Sequence, residues 1–313
     1  MPTTSAGSLA MKLFHYLRKD GIENFGDRLN LWLWPKLMPN LFNRHDQITF
    51  VGIGTLLNHR LPQRLDTEKV VIMGTGVGYG QPLEFLPEGW TVYCVRGPLS
   101  ARHLGLPIEK AIADGAVLLA QCVQRQQTKK FPVSVMPHIH HAVAAGDIWK
   151  TICQALNWGY VDPRWPVETV LSAIDGTELL LAEAMHGAIA ADALRVPWMP
   201  IQTSPRILNF KWQDWCASIG VAYKPQYLPP LSRQYPPYTK GKHPRITMAN
   251  YWRRCWQQNH FSGYLKNVES CLLKISRTQP HFLSSSAKLN TLIEQLEGQL
   301  TQLESDAAGD YFK

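Results

Sequence analysis

Short apolar runs alternate with stretches of helical period along most of the chain. The runs Leu13–Leu17, Ile48–Gly52, Val70–Met73, Thr91–Val95, Val133–Pro137, Gly159–Val161, Glu178–Ala182 and Trp198–Ile201 lack strict apolar–polar alternation. That is the pattern of strands buried on both faces. Between them the spacing predicts helices near 28–38, 98–104, 146–157, 166–174, 187–195 and 207–219. Strands alternating with helices imply an α/β protein with doubly wound parallel sheets. A polar break at Gln124–Phe131 carries charge and no apolar period. It divides the series into two expected Rossmann-like domains, 1–125 and 126–235, followed by a tail, 236–313.

The tail has a different texture. Prolines at 225, 229, 230, 236, 237 and 244 lead to a helical pattern from about Thr247 to Ser276. A second pattern runs from Ser286 to Ser305, with Leu289, Leu292, Leu296, Leu300 and Leu303 spaced by three or four. Such a stripe suits a helical hairpin or short coiled coil docked onto the same chain.

Composition bounds the class. A chain of 313 residues fits two domains, each of roughly 100–150 residues. An apolar fraction of 45% and a mean hydropathy of −0.18 describe a globular protein. No apolar stretch reaches the roughly 18 residues of a spanning helix. The start, MPTTSAGSLAMKLFHYL, has no basic region followed by an unbroken apolar one, so a cytoplasmic protein is expected. Cys94, Cys122, Cys153, Cys216, Cys255 and Cys271 are scattered and are expected to be reduced, mostly buried thiols. The net charge of +8 is uneven, with eight Lys/Arg against Glu269 alone in 240–277. A local basic segment beside Trp252, Trp256 and Phe261 points away from nucleic acid; residues 245–277 could instead touch an anionic membrane peripherally.

Candidate chemistry lies in loops that follow the strands, where ligands of such sheets bind. After the first run comes Asn24-Phe25-Gly26-Asp27-Arg28-Leu29-Asn30, with Asp27 expected as a helix N-cap. Gly74, Gly76, Gly78 and Gly80 alternate in a turn that matches neither a dinucleotide nor a Walker motif, yet lets backbone approach a ligand. Arg96 ends the fourth strand ahead of Gly97 and Pro98, and its planar guanidinium suits a phosphate or carboxylate. Asp114 opens a further turn. His138, His140 and His141 lack partners at metal-ligand spacing and are expected to be incidental; no metal is expected. In Ala182-Glu183-Ala184-Met185-His186-Gly187, a strand ends and a helix begins, placing His186 where backbone N–H groups and the helix dipole favour an anion.

In order, the segments NFGDRLN, GIGTLL, the GTG turn, VRGPLSARHLGL, DGAVLL, PH and AEAMHGAIAADALRVP resemble the polysaccharide pyruvyl transferase family over about residues 13–222. The resemblance implies a fold like that of two-domain GT-B glycosyltransferases. It also implies transfer of pyruvate from phosphoenolpyruvate onto two hydroxyls of a sugar, with no cofactor beyond that donor. Carried over residue by residue, it makes His186 and Asp27 the catalytic pair and places Arg96, Gly187 and Gly76 at the donor. Asn24, Asn30, Asp114, Glu183 and Arg206 support the acceptor or the site. The acceptor would be a free or lipid-linked oligosaccharide. The chain departs from some relatives at Ala184, where they carry arginine; Glu183 and Arg206 are candidates to replace it. Two other functions remain open: a GT-B-type glycosyltransferase using a nucleotide sugar, and a non-catalytic scaffold of polysaccharide assembly.

Overall fold

The computed structural model describes residues 11–42, 47–81, 83–126, 128–204, 207–229, 231, 261–309 and 311–312. It contains two sheets, both wholly parallel, and the chain divides into two compact Rossmann-like units.

The first unit holds a four-stranded sheet in the order β1 (Lys12–Phe14), β2 (Ile48–Val51), β3 (Lys69–Met73), β4 (Trp90–Cys94). Phe50, Val51, Val71 and Ile72 are fully buried, as strands covered on both faces require. Helix α1 (Phe25–Leu37) links β1 to β2 and buries Leu29, Leu33 and Trp34. Helix α2 (Pro98–His103) starts at Pro98, whose missing N–H is harmless at the first helical position. A short α3 (Leu119–Cys122) follows a 3-10 turn at Gly115–Leu118.

The second unit holds five strands: β5 (Ser134–Met136), β6 (Gly159–Tyr160), β7 (Leu180–Ala182), β8 (Trp198–Gln202) and β9 (Gln226–Tyr227). Their order is β6-β5-β7-β8-β9. The chain therefore leaves β5 toward one edge and returns on its other side, so the strand order reverses between β5 and β7. Helices α4 (Ile139–Ala155), α5 (Val167–Asp175) and α6 (Met185–Ala193) cover this sheet. Trp149 of α4 is fully buried in its core.

Two helices return to join these sheets. From Phe210 onward, α7 (Asn209–Ser218) belongs to the first unit. Helix α8 (Phe261–Ser276) joins the second unit, placing Val268, Leu272 and Ile275 in the cluster around Trp149, Leu181 and Ile201. Helix α9 (Ser286–Ala308) packs on β4 and on the 115–118 turn of the first unit, burying Leu289, Leu292, Leu296, Leu300 and Leu303. Ser285 caps it by accepting from the Lys288 N–H. At its far end the Tyr93 hydroxyl donates to Asp306 Oδ2 at 2.5 Å.

The continuous boundaries expected at 1–125, 126–235 and 236–313 need correction. The units are Met1–Cys122 with Phe210–Ala222 and Ser284–Lys313, and Val123–Asn209 with Tyr223–Leu283. The tail is not one separate body, because the apolar stripes of α8 and α9 are buried on different sheets. Helix α4 begins seven residues ahead of the expected 146, because the His138 ring accepts from the His140 N–H and caps the helix there. The helix is kinked at Ala145, whose φ of −149° and ψ of 24° are not helical. Strand β9, two residues long, carries too little pattern to be predicted. Trp252 and Trp256 of the expected basic amphipathic segment lie outside the described residues.

Candidate active site

The reversal of strand order between β5 and β7 selects one place in the second unit. At such a switch point the connections leave in opposite directions and open a crevice at the carboxyl ends of the strands. His138 follows β5 and Glu183 follows β7. Glu183 is completely buried and accepts four hydrogen bonds. Its Oε2 takes the His138 N–H at 3.0 Å and the His141 Nδ1 proton, and its Oε1 takes the Thr203 N–H at 2.8 Å and hydroxyl at 2.7 Å. One carboxylate thus ties the ends of β5, β7 and β8 together.

Burial alone would raise the Glu183 pKa. The His141 charge and hydrogen bonds from His141, Thr203 and His138 outweigh that cost and hold it below its ordinary 4.5. An ionised carboxylate facing Nδ1 keeps the proton on that nitrogen, so the chemistry of His141 passes to Nε2. The Thr203 hydroxyl, 2.8 Å from Nδ1, steadies the same ring. Glu183 and Thr203 together fix the orientation of the His141 ring.

His186 stands in the first turn of α6, with its ring half-buried. The first intrahelical bond runs from the Gly187 N–H to the Ala184 carbonyl at 3.0 Å, so the Met185 and His186 N–H groups precede the ladder. Their partial positive charge favours an anion beside the imidazole. Ala184 itself is the N-cap, offering no side-chain cap. Gly187 serves packing, since a Cβ there would stand 2.4 Å from Met136 Sδ of β5.

The first-unit candidates have other occupations. Arg96, expected as an anion clamp, is fully buried and spends its donors internally. Nε bonds Asp214 Oδ2 at 3.0 Å, Nη1 bonds the Gly54 carbonyl and Thr55 Oγ1, and Nη2 bonds the Val77 carbonyl at 2.7 Å. Asp214 also accepts the Leu99 and Ser100 N–H groups, fixing the start of α2. Gly76 leaves space for this guanidinium, because a Cβ there would lie 2.4 Å from its central carbon. The arginine therefore knits the loops after β2, β3 and β4, and the clamp expected from sequence is corrected on that ground.

Asn30 is likewise buried and bonds the backbone of Ile53 in both directions, at 2.8 and 2.9 Å, while accepting from Trp34 Nε1 at 3.0 Å. Asp114 caps the 115–118 turn by accepting from the Ala116 N–H. Asp27 is not the N-cap: Asn24 holds that position, and Asp27, in the first turn, accepts from Asn24 Nδ2 at 2.8 Å. His15, just after β1, is held below its ordinary 6.5 by burial, with Asp27 opposing and Arg28 adding to the shift. Arg206 lies outside the described residues.

Sequence reasoning put Glu183 and His186 near the chemistry but passed over His141, Thr203, Asp214 and His15. The available signal for His141 was its position one helical turn beyond Pro137, at the end of a predicted strand. Among the described residues, no group of three or more His, Cys, Asp or Glu side chains is placed to hold a metal ion.

Fold and site together define an α/β protein of two parallel-sheet units with a buried carboxylate–imidazole pair at a switch point. No protein-family model matches the chain. The chain belongs to the family of the succinoglycan biosynthesis protein ExoV of Rhizobium meliloti (strain 1021), to which it is 42% identical over 225 residues, 71% of this chain and 69% of that protein.

Proposed function

We propose that this protein acts in the biosynthesis of a surface polysaccharide, as a ketal pyruvyl transferase using phosphoenolpyruvate. The observation that carries the reading is the Glu183–His141 pair at the β5/β7 switch point, with His186 three residues after Glu183 at the start of α6. The named function of the ExoV relative supports the polysaccharide role, and the ordered motifs from NFGDRLN to AEAMHGAIAADALRVP support the transfer chemistry.

The reaction requires a proton for the methylene carbon of the enol phosphate, which leaves an oxygen-stabilised cation at the neighbouring carbon. One sugar hydroxyl adds to that carbon, phosphate departs, and a second hydroxyl closes the cyclic ketal while both hydroxyl protons pass to bases. The imidazoles of His141 and His186 are suited to proton transfer. The α6 N-terminus is suited to the donor's negative charge.

A nucleotide-sugar donor would ask Glu183 to meet sugar hydroxyls, yet both its oxygens are occupied within the protein. The test is incubation with phosphoenolpyruvate and free or lipid-linked oligosaccharides. Phosphate release should match a product mass gain of pyruvate minus water. Loss of His186 (His186→Ala) or His141 (His141→Ala) should lower turnover by roughly 100-fold or more. Phosphate release without ketal formation, or near-normal turnover in both variants, would reject the assignment.

A further inference from the structure

Along the edge of the second unit's sheet lies a pocket that the proposed chemistry does not use. It sits at β5 and the edge strand β6, beside α5, with a volume of about 490 Å³. That is within the roughly 300–1,000 Å³ of small-molecule sites. Phe131, Tyr160 and Trp165 supply aromatic walls, and Tyr160 and Trp165 meet edge to face with centroids 6.0 Å apart. The Tyr160 ring is anchored, since its hydroxyl lies 3.1 Å from Asp162 Oδ2 and Asp162 is itself gripped by Arg164.

Ser134 lines the same pocket with only 1% of its surface exposed, and its hydroxyl has no hydrogen-bond partner within the described protein. A buried hydroxyl left unsatisfied is costly and calls for an outside partner. Gly159 keeps that hydroxyl clear: a Cβ there would come within 2.2 Å of Ser134 Oγ. The charged side chains of the lining are Lys130 and Glu168, whose signs cancel.

We infer that this pocket binds a neutral sugar unit of the polysaccharide, apart from the site of pyruvyl transfer. Sugar rings present apolar C–H faces to aromatic walls and hydroxyls to a buried polar group, while a balanced lining selects against net charge. The choice of a glycan rests on the proposed polysaccharide role, but the binding does not depend on which donor is used.

The test is calorimetric titration of the full chain with cellotetraose and lactose, with the capped peptide acetyl-tetraalanine-amide as control, and without phosphoenolpyruvate. At least one sugar should bind in the millimolar range or tighter and the peptide should not. Trp165→Ala should weaken sugar binding by at least about tenfold, and Ser134→Ala by about fivefold, the worth of one hydrogen bond. Ser134→Ala should leave the melting temperature unchanged or raised, since it removes a polar group that the protein leaves unsatisfied. If Trp165→Ala does not fold, saturation-transfer NMR on wild type and Ser134→Ala decides. Absence of sugar binding, equal binding of the peptide, or affinity untouched by both variants overturns the inference. Pyruvyl transfer is scored separately by phosphate release, so failure of either reading is visible by itself.

Discussion

Two buried charges at strand ends do different work. Arg96 pairs with Asp214 where neither side chain meets solvent. Removing the cation leaves a buried carboxylate without its charge partner, so Arg96→Leu should lower unfolding free energy by about 3–5 kcal/mol in urea titrations. Glu183 is the proton-linked counterpart. Folding lowers its pKa from the ordinary 4.5, so its stabilisation is full above that value and fades as pH falls through the folded-state value beneath it. Thermal melts of wild type and Glu183→Gln should differ most at neutral pH and converge on acidification well below 4.5. A constant gap across that range would remove the ionised pair as its cause. The glutamine is a poor substitute because its amide would point donors at groups that already donate. Burial pushes the Cys94 and Cys153 thiols up to about 12. Native protein should therefore take up iodoacetamide at half-buried Cys271 while those two stay unmodified, as peptide mass mapping would show.

Among the elements, α9 shows a legible pattern with an illegible destination. Its leucines at spacings of three and four announce one apolar face, and that face lies on the first unit rather than on the preceding tail helix. Leu296 is wholly buried, so Leu296→Ala should cost about 2–5 kcal/mol of stability, read from denaturant midpoints. In α8 the buried Val268 and Leu272 leave Lys266 and Lys274 exposed. No described helix is long and apolar enough to cross a membrane. The peripheral contact proposed for 245–277 would draw on its cations, each adding about 1 kcal/mol near an anionic leaflet. Sedimentation with phosphatidylserine vesicles at low salt, lost at high salt and absent with phosphatidylcholine, is the expected result. Equal sedimentation with both lipids would reject the contact.

On the scale of the whole molecule, the chain passes from one unit to the other four times, after Cys122, Asn209, Ala222 and Leu283. A fragment of residues 1–125 would lack Asp214 for Arg96 and the α9 face for Tyr93. It should therefore show weak far-UV circular dichroism and poor amide dispersion, unlike the full chain, which retains both partners. The parallel α/β class was written in the local pattern, because strands buried on both faces must be continuously apolar and helices must repeat near every fourth residue. Eight of the nine described strands lie at apolar runs of the sequence, and α2 and α9 start at the expected Pro98 and Ser286. The turn at Ala182–Gly187 was likewise recognisable, since a strand end, a short polar step and a helix start are neighbours in the chain. Which residues that turn meets was beyond local pattern. His141 and Thr203 reach Glu183 across 42 and 20 residues, and Asp214 reaches Arg96 across 118. The residue types allowed Arg96 to be a clamp and His141 to be incidental; tertiary packing buried the one and set a carboxylate behind the other. Periodicity is a property of neighbours along the chain, whereas the charge state and duty of a side chain depend on the dielectric and partners that only folding assembles.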